Sequence, residues 1–261
     1  AAEAGVLAGD EVVQVDGTDV RTEPVGTVAA ALRGAAGTVV DLVLRRDGSP
    51  VSVPVERATV SGADVTVMRL SGGTDVVRVA AFSQGVGKQV REALAADPGE
   101  RTGVVLDLRG NPGGLLTEAV EVASAFLDGG TVVSYDKRGE PTHVLEALGS
   151  GDTTTPLVVL VDSGTASAAE VTAAALQDRN RAVVVGSRTF GKGSVQEPST
   201  LPDGSALELT VGRYRTASGR LIDGVGVDPD VVVASSASPT KAEQRALEVL
   251  RGLVVAVGGR G

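Results

Sequence analysis

The sequence predicts an α/β protein, in which a sheet covered by helices on both faces follows a small β-rich domain. Three observations predict this. The runs GVVLDL (103–108), LVVLVD (157–162) and AVVVG (182–186) are apolar without alternation, as expected of strands buried on both faces. Each is followed by a segment of small residues, and the first two then enter a stretch of helical periodicity. The first 57 residues lack this rhythm and read as short strands separated by turns.

Taken in order, Ala8-Gly9-Asp10 marks a turn, Glu11–Val15 a strand and Asp16-Gly17 a tight turn. Val25, Val28, Ala29 and Leu32 follow helical spacing, with Gly34 as a stop. Strands VVDLVLRRDG and VSVPVE flank a turn at Asp47-Gly48-Ser49, a hairpin signal. Residues 58–75 form a weakly patterned connector holding the strand VTVMRL. Strand DVVRVAAF then leads to a helix near Gly85–Ala95. The strand at 103–108 leads through RGNPGG to a helix on which Leu116, Val120, Ala123 and Leu127 share a face. The strand at 157–162 leads through SGTASAAE to the helix VTAAALQD. The strand at 182–186 leads through SRTFGKGSVQ to a hairpin around Pro202-Asp203-Gly204. Lys241–Val254 reads as an amphipathic helix. The expected division is 1–57, 58–235 and a C-terminal helix and tail at 236–261.

Composition narrows the chemistry. Apolar residues make up 42% of the 261, enough for a sizeable core, and with only five aromatics that core must be Val, Leu and Ala. A net charge of −9 argues against a nucleic-acid partner, because phosphate binding needs a basic surface. The absence of Cys removes thiol nucleophiles, disulfides and Cys-based metal sites. His143, the single histidine, cannot form a His cluster for zinc. No apolar run is long enough to cross a membrane, and no signal peptide is visible. The first residues read as the interior of a domain, so a targeting segment is expected upstream.

Active sites of open α/β sheets lie off the carboxyl ends of the strands. Three loops leave strands there: 109–114, 163–167 and 187–196. Four of the 24 basic residues are lysines, and a lysine, unlike an arginine, can give up its proton when its stem is buried. Lys192, in Phe190-Gly191-Lys192-Gly193, is placed to do so, although a solvated loop lysine would look the same. Ser167 stands at a helix start directly after a strand. It fits an N-cap there, and it equally fits a nucleophile whose neighbouring amide points at a developing oxyanion. RGNPGG makes a turn, and Gly113 or Gly114 could aim an N–H at the same oxygen. Asp107 and Arg109 are expected to pair and hold that loop.

These segments together resemble the C-terminal processing (tail-specific) peptidases, a Ser-Lys serine protease family with a PDZ domain. The likeness is carried by VVLDLRGNPGG, LVDSGTASAAEVTAAALQD, VVVGSRTFGKGSVQ and LPDGSALELTVGRYRTASGRLIDGVGVDPDVVV, in that order. Ala4–Val20 resembles the second half of a PDZ domain, whose early carboxylate-binding loop has no counterpart here. The resemblance implies an α/β core of crotonase- or ClpP-like units behind a truncated PDZ-like domain. It makes Ser167 the nucleophile, Lys192 the general base and Gln196 the residue that orients it. Gly113 and Ala168 become the oxyanion amides, with no metal or cofactor. The run Gly164–Glu170 departs from the family's GSASASE at Thr165 and Ala169 but keeps Ser167 as its only serine. The implied partners are protein or peptide substrates cut near their C-termini. The implied location is secreted, periplasmic or anchored to the cell envelope, with membrane contact only through a missing N-terminal segment.

Three readings compete. Gly186–Lys192 fits the P-loop spacing, but Gly193 stands where Ser or Thr should bind magnesium, and no helix follows. A catalytically silent PDZ-type peptide-binding or adaptor protein of the same fold would need neither Ser167 nor Lys192. A triad on His143 would draw on a residue set among polar neighbours, where a surface position is expected.

Overall fold

The computed structural model describes residues 1–7, 9–23, 25–58, 63–96, 101–137, 139–200 and 206–258. The chain divides into two compact units, Ala1–Gly62 and Ala63–Gly261.

The first unit holds β1 (Glu11–Val15), β2 (Thr18–Asp19), α1 (Val25–Leu32), β3 (Val39–Arg46) and β4 (Ser49–Glu56). Its strands form one antiparallel sheet in the order β2-β1-β3-β4. Alternation in β3 and β4 sends Val40, Leu42, Leu44, Val53 and Val55 to one face, where they meet Val15 and Val20. Val28 and Leu32 of α1 pack against that core. The turn expected at Ala8-Gly9-Asp10 includes Ala8, which lies outside the described residues.

The second unit contains β5 (Val65–Leu70), β6 (Thr74–Val79), α2 (Val86–Ala95), β7 (Gly103–Asp107), α3 (Leu116–Ser124), β8 (Thr131–Lys137), β9 (His143–Glu146), β10 (Leu157–Val161), α4 (Ala168–Asp178), β11 (Val183–Gly186), β12 (Ser194–Thr200), β13 (Ala206–Thr216), β14 (Val231–Val232) and α5 (Pro239–Gly258). Six strands form a sheet in the order β14-β11-β10-β7-β6-β5, parallel except for β5. From β6 to β14 the order steps in one direction only. Right-handed crossovers therefore place α2, α3 and α4 on the same face. The opposite face is left to α5, which packs on β7, β10 and β11.

The absence of alternation in the central strands follows from this arrangement. Val104, Leu106, Leu157, Val159 and Val161 join the core beneath α2–α4, whereas Val105, Val158, Leu160 and Val185 join Leu250 and Ala246 of α5. A second sheet, antiparallel in the order β12-β13-β8-β9, adds Val132, Val133, Val195 and Tyr214 to the larger core. The turn expected at Pro202-Asp203-Gly204 lies outside the described residues, and β12 and β13 pair on either side of it, with Thr200 opposite Ala206. No helix among the described residues is long and apolar enough to cross a membrane.

Candidate active site

The three small-residue loops converge at the carboxyl ends of β7, β10 and β11. Parallel pairing of β10 with both neighbours sets their mouths side by side. Ser167 immediately precedes α4 and is half-buried. Its backbone has φ 55° and ψ −120°, a region that residues with a side chain rarely occupy. Such a backbone costs about 1–3 kcal/mol and persists only when its surroundings hold it.

The holding group is Glu170, fully buried and one turn into α4. Its Oε2 accepts the Ser167 N–H at 2.8 Å and the Lys192 N–H at 2.8 Å. Its Oε1 accepts the Gly191 N–H at 2.7 Å and the Thr189 hydroxyl. A single carboxylate oxygen thus binds the backbones of the candidate nucleophile and the candidate base, which lie 25 positions apart in sequence. A buried carboxylate is stabilised by this many donors, and each charge-assisted bond is short and strong.

The loop after β7 closes the other side. Asp107 takes a forked pair of bonds from Arg109, at 2.9 and 2.7 Å, which is the expected ion pair, and it is also approached by Arg78 at 3.3 Å. The neighbouring Asp107 carboxylate raises the Arg109 pKa above its usual value, against the opposing effect of burial. Arg109 also reaches the Pro239 carbonyl at 2.8 Å, joining this loop to the start of α5. Asn111, fully buried, donates to Val79 O at 2.9 Å and accepts from Ala166 N on its carbonyl at 2.9 Å. Thr165, the departure from the family run, is buried and donates to Leu108 O at 2.9 Å, linking the ends of β7 and β10. Ala169 is also fully buried, so an apolar side chain suits that position.

Gly113 lies directly against the serine. A methyl group placed on it would sit 2.9 Å from Ser167 Cβ and 3.0 Å from Ala168 N, and its φ of +100° favours glycine. Its amide departs from the expected open oxyanion donor, because it donates to Asn111 Oδ1 at 2.8 Å. The side chain two residues back competes for that N–H, as Asn side chains do in turns. Ala168 N stands at the first position of α4, where the helix has no internal acceptor for it.

Lys192 is exposed, as in the solvated-loop reading and not with a buried stem; glycines flank it and nearby Phe190 is 63% exposed. Gln196 lies in β12 opposite Thr210, beside a bulge at Val195/Gln196, and is exposed. His143 belongs to β9, stacked on Tyr135 at 4.8 Å and bonded to Glu140 at 2.8 Å, a constellation separate from Ser167. Gly186–Lys192 leads into a strand, not a helix, which removes the P-loop reading. Glu170, Asn111 and Thr189 are functional candidates that the sequence reading did not single out, and only Glu170, three residues after Ser167, carried a local signal.

Comparison with known proteins adds an independent line. The model of the family described as "Peptidase family S41" matches residues 74–233, and the PDZ domain model matches residues 1–46. A carboxy-terminal-processing protease of Bartonella bacilliformis is 38% identical over 244 residues, 89% of this chain and 56% of its own length. A carboxyl-terminal-processing protease of Synechocystis sp. is 36% identical over 267 residues, 97% of this chain and 62% of its own. The chain therefore spans 56% to 62% of the length of these curated relatives. Among solved structures, the photosystem II D1 C-terminal processing protease superposes with a TM-score of 0.77 at 35% identity, covering 94% of this chain and 68% of that one. The expected α/β core behind a PDZ domain agrees with these matches.

Proposed function

The chain belongs to peptidase family S41, and from that premise we propose that it is a serine endopeptidase of the C-terminal processing type. It cuts protein substrates near their C-termini through a Ser-Lys acyl-enzyme mechanism. The observation that carries this reading is the Glu170 carboxylate, which accepts the amides of Ser167 and Lys192 on one oxygen.

In this mechanism neutral Lys192 takes the proton of the Ser167 hydroxyl as the oxygen attacks the scissile carbonyl. The oxyanion is met by Ala168 N–H, favoured by the α4 dipole, and by Gly113 N–H, released from Asn111 Oδ1 as substrate arrives. Protonated Lys192 returns its proton to the leaving amine. Water then frees the acyl group by the reverse path. Substrate laid over the exposed Lys192 shuts water out of the site. Gln196, four residues further on, orients the lysine in the substrate complex. The place of work lies outside the cytoplasm, carried over from the family resemblance.

Incubation with an unstructured protein bearing an apolar C-terminal tag, followed by mass spectrometry, tests the reading. Wild type shortens the substrate. Ser167→Ala and Lys192→Arg both leave it intact, because the guanidinium of arginine keeps its proton. Cleavage by folded Ser167→Ala, or none by wild type, supports the silent adaptor or another nucleophile instead.

A further inference from the structure

We infer that Thr189 is a positioning residue of the peptidase site, whose hydroxyl ties the backing loop at residues 222–227 to the Glu170 clamp and so fixes the segment bearing Lys192. The inference rests on the Ser167–Lys192 reading above.

Thr189 is 5% exposed and lies three residues before Lys192. Its hydroxyl donates to Glu170 Oε1 and accepts the Val227 N–H at 2.7 Å. The directions are fixed by chemistry, because the Val227 amide can only donate and the carboxylate only accept. The single hydroxyl proton is therefore committed to Glu170. Of the donors on Glu170 among the described residues, Thr189 supplies the only side chain, the others being the amides of Ser167, Gly191 and Lys192.

The backing loop follows the Lys192 segment along its length. Thr189 N–H meets Val227 O at 3.2 Å, and Gly224 N–H meets Gly191 O at 2.9 Å. Gly226 approaches so closely that a methyl group on it would fall 2.7 Å from Thr189 O and 3.0 Å from its Oγ1. Its φ of +76° is a second reason for glycine there. On its other side the Lys192 segment is held by Phe190 N–H on Thr165 O at 3.0 Å, next to the nucleophile's own loop. Removing the Thr189 hydroxyl leaves Val227 N–H without its acceptor and Glu170 Oε1 with one donor fewer. The Lys192 segment then keeps its two backbone bonds to the loop behind it but loses the side-chain bridge that joins that loop to Glu170.

The test compares steady-state cleavage of the tagged substrate by wild type, Thr189→Val, Thr189→Ser and Ser124→Ala. The last removes another buried hydroxyl that likewise bridges a carbonyl, Val120 O, and an amide, Leu148 N–H. Thr189→Val should lower kcat by about tenfold or more while KM changes by about twofold or less, because a bond to a charged group is lost away from the substrate. Thr189→Ser should restore most of kcat, and Ser124→Ala should lower the melting temperature without lowering kcat. Wild-type kcat in Thr189→Val, failure of serine to rescue, or an equal kcat loss in Ser124→Ala would overturn the inference. A wild-type chain without turnover removes the peptidase reading and this inference together.

Discussion

Ser167 carries a positive φ that no glycine relieves, and the cost is met by bonds formed around it. Glu170 holds its amide, and Asn111 O takes the amide of the preceding Ala166. Exchanging Glu170 for Gln keeps the size but offers an NH2 group to donors that need an acceptor. Glu170→Gln is therefore expected to abolish measurable cleavage. It should also destabilise the fold by about 1–3 kcal/mol for each unmet buried donor. Urea unfolding and the cleavage assay on the same preparation check both effects. Unchanged activity would separate Glu170 from the chemistry. At this scale the sequence disclosed the types of residue and left their partners hidden. Ser167, Lys192 and the NPGG glycines stand out through their loops. The bonds of Glu170 to Thr189, Gly191 and Lys192 span 19 to 22 positions, a separation that no local pattern encodes. The capture of the Gly113 amide by Asn111 is local, two residues apart, and was still missed, whereas the exposure of Lys192 matches the solvated-loop reading.

Among the elements, the strands whose side chains face two cores were legible because burial on both faces erases alternation. The second sheet was half legible. The β12–β13 hairpin announced itself by a turn signal, whereas β8 mixes apolar with polar residues and β9 is short and faces solvent at alternate positions. In the six-stranded sheet, β6, one strand in from the edge, carries a buried carboxylate with a testable consequence. Asp75 is bonded by Arg69 at 2.7 and 2.9 Å and by Arg101 at 2.7 Å. The Arg69 hydrogen bonds, aided by Arg101 and opposed by burial, hold its pKa below the usual carboxylate range. The folded state thus favours the ionised form more than the unfolded chain does. Its contribution is complete above the unfolded pKa of about 3.9 and is lost as pH falls through and below that value. Denaturation midpoints measured from pH 6 downwards should fall less steeply in Asp75→Asn than in wild type. Parallel curves would assign the acid lability to other carboxylates.

For the second unit as a whole, one-directional strand order leaves one sheet face without crossover helices, and α5 covers it. The sequence showed α5 as a helix but not as the missing layer, because nothing local marks which face of a distant sheet it will meet. Leu250 is 1% exposed and packs with Val105, Val158 and Leu160. Leu250→Ala should therefore cost about 2–5 kcal/mol, read as a lower urea midpoint. A loss below about 1 kcal/mol would mean that α5 is a loosely held appendage, since full cavity formation costs more. Arg109 joins the start of this helix to the 109–114 loop, so the layer that completes the core also braces the candidate site.

In the proposed mechanism the Ser167 hydroxyl becomes acylated with Lys192 as its base. Acid quenching of a reaction with tagged substrate, followed by peptide mapping in the mass spectrometer, reads this directly. An acyl group of substrate mass is expected on the peptide containing Ser167, absent from folded Lys192→Arg. Continued cleavage with no adduct on that peptide, or an adduct undiminished in Lys192→Arg, would contradict it.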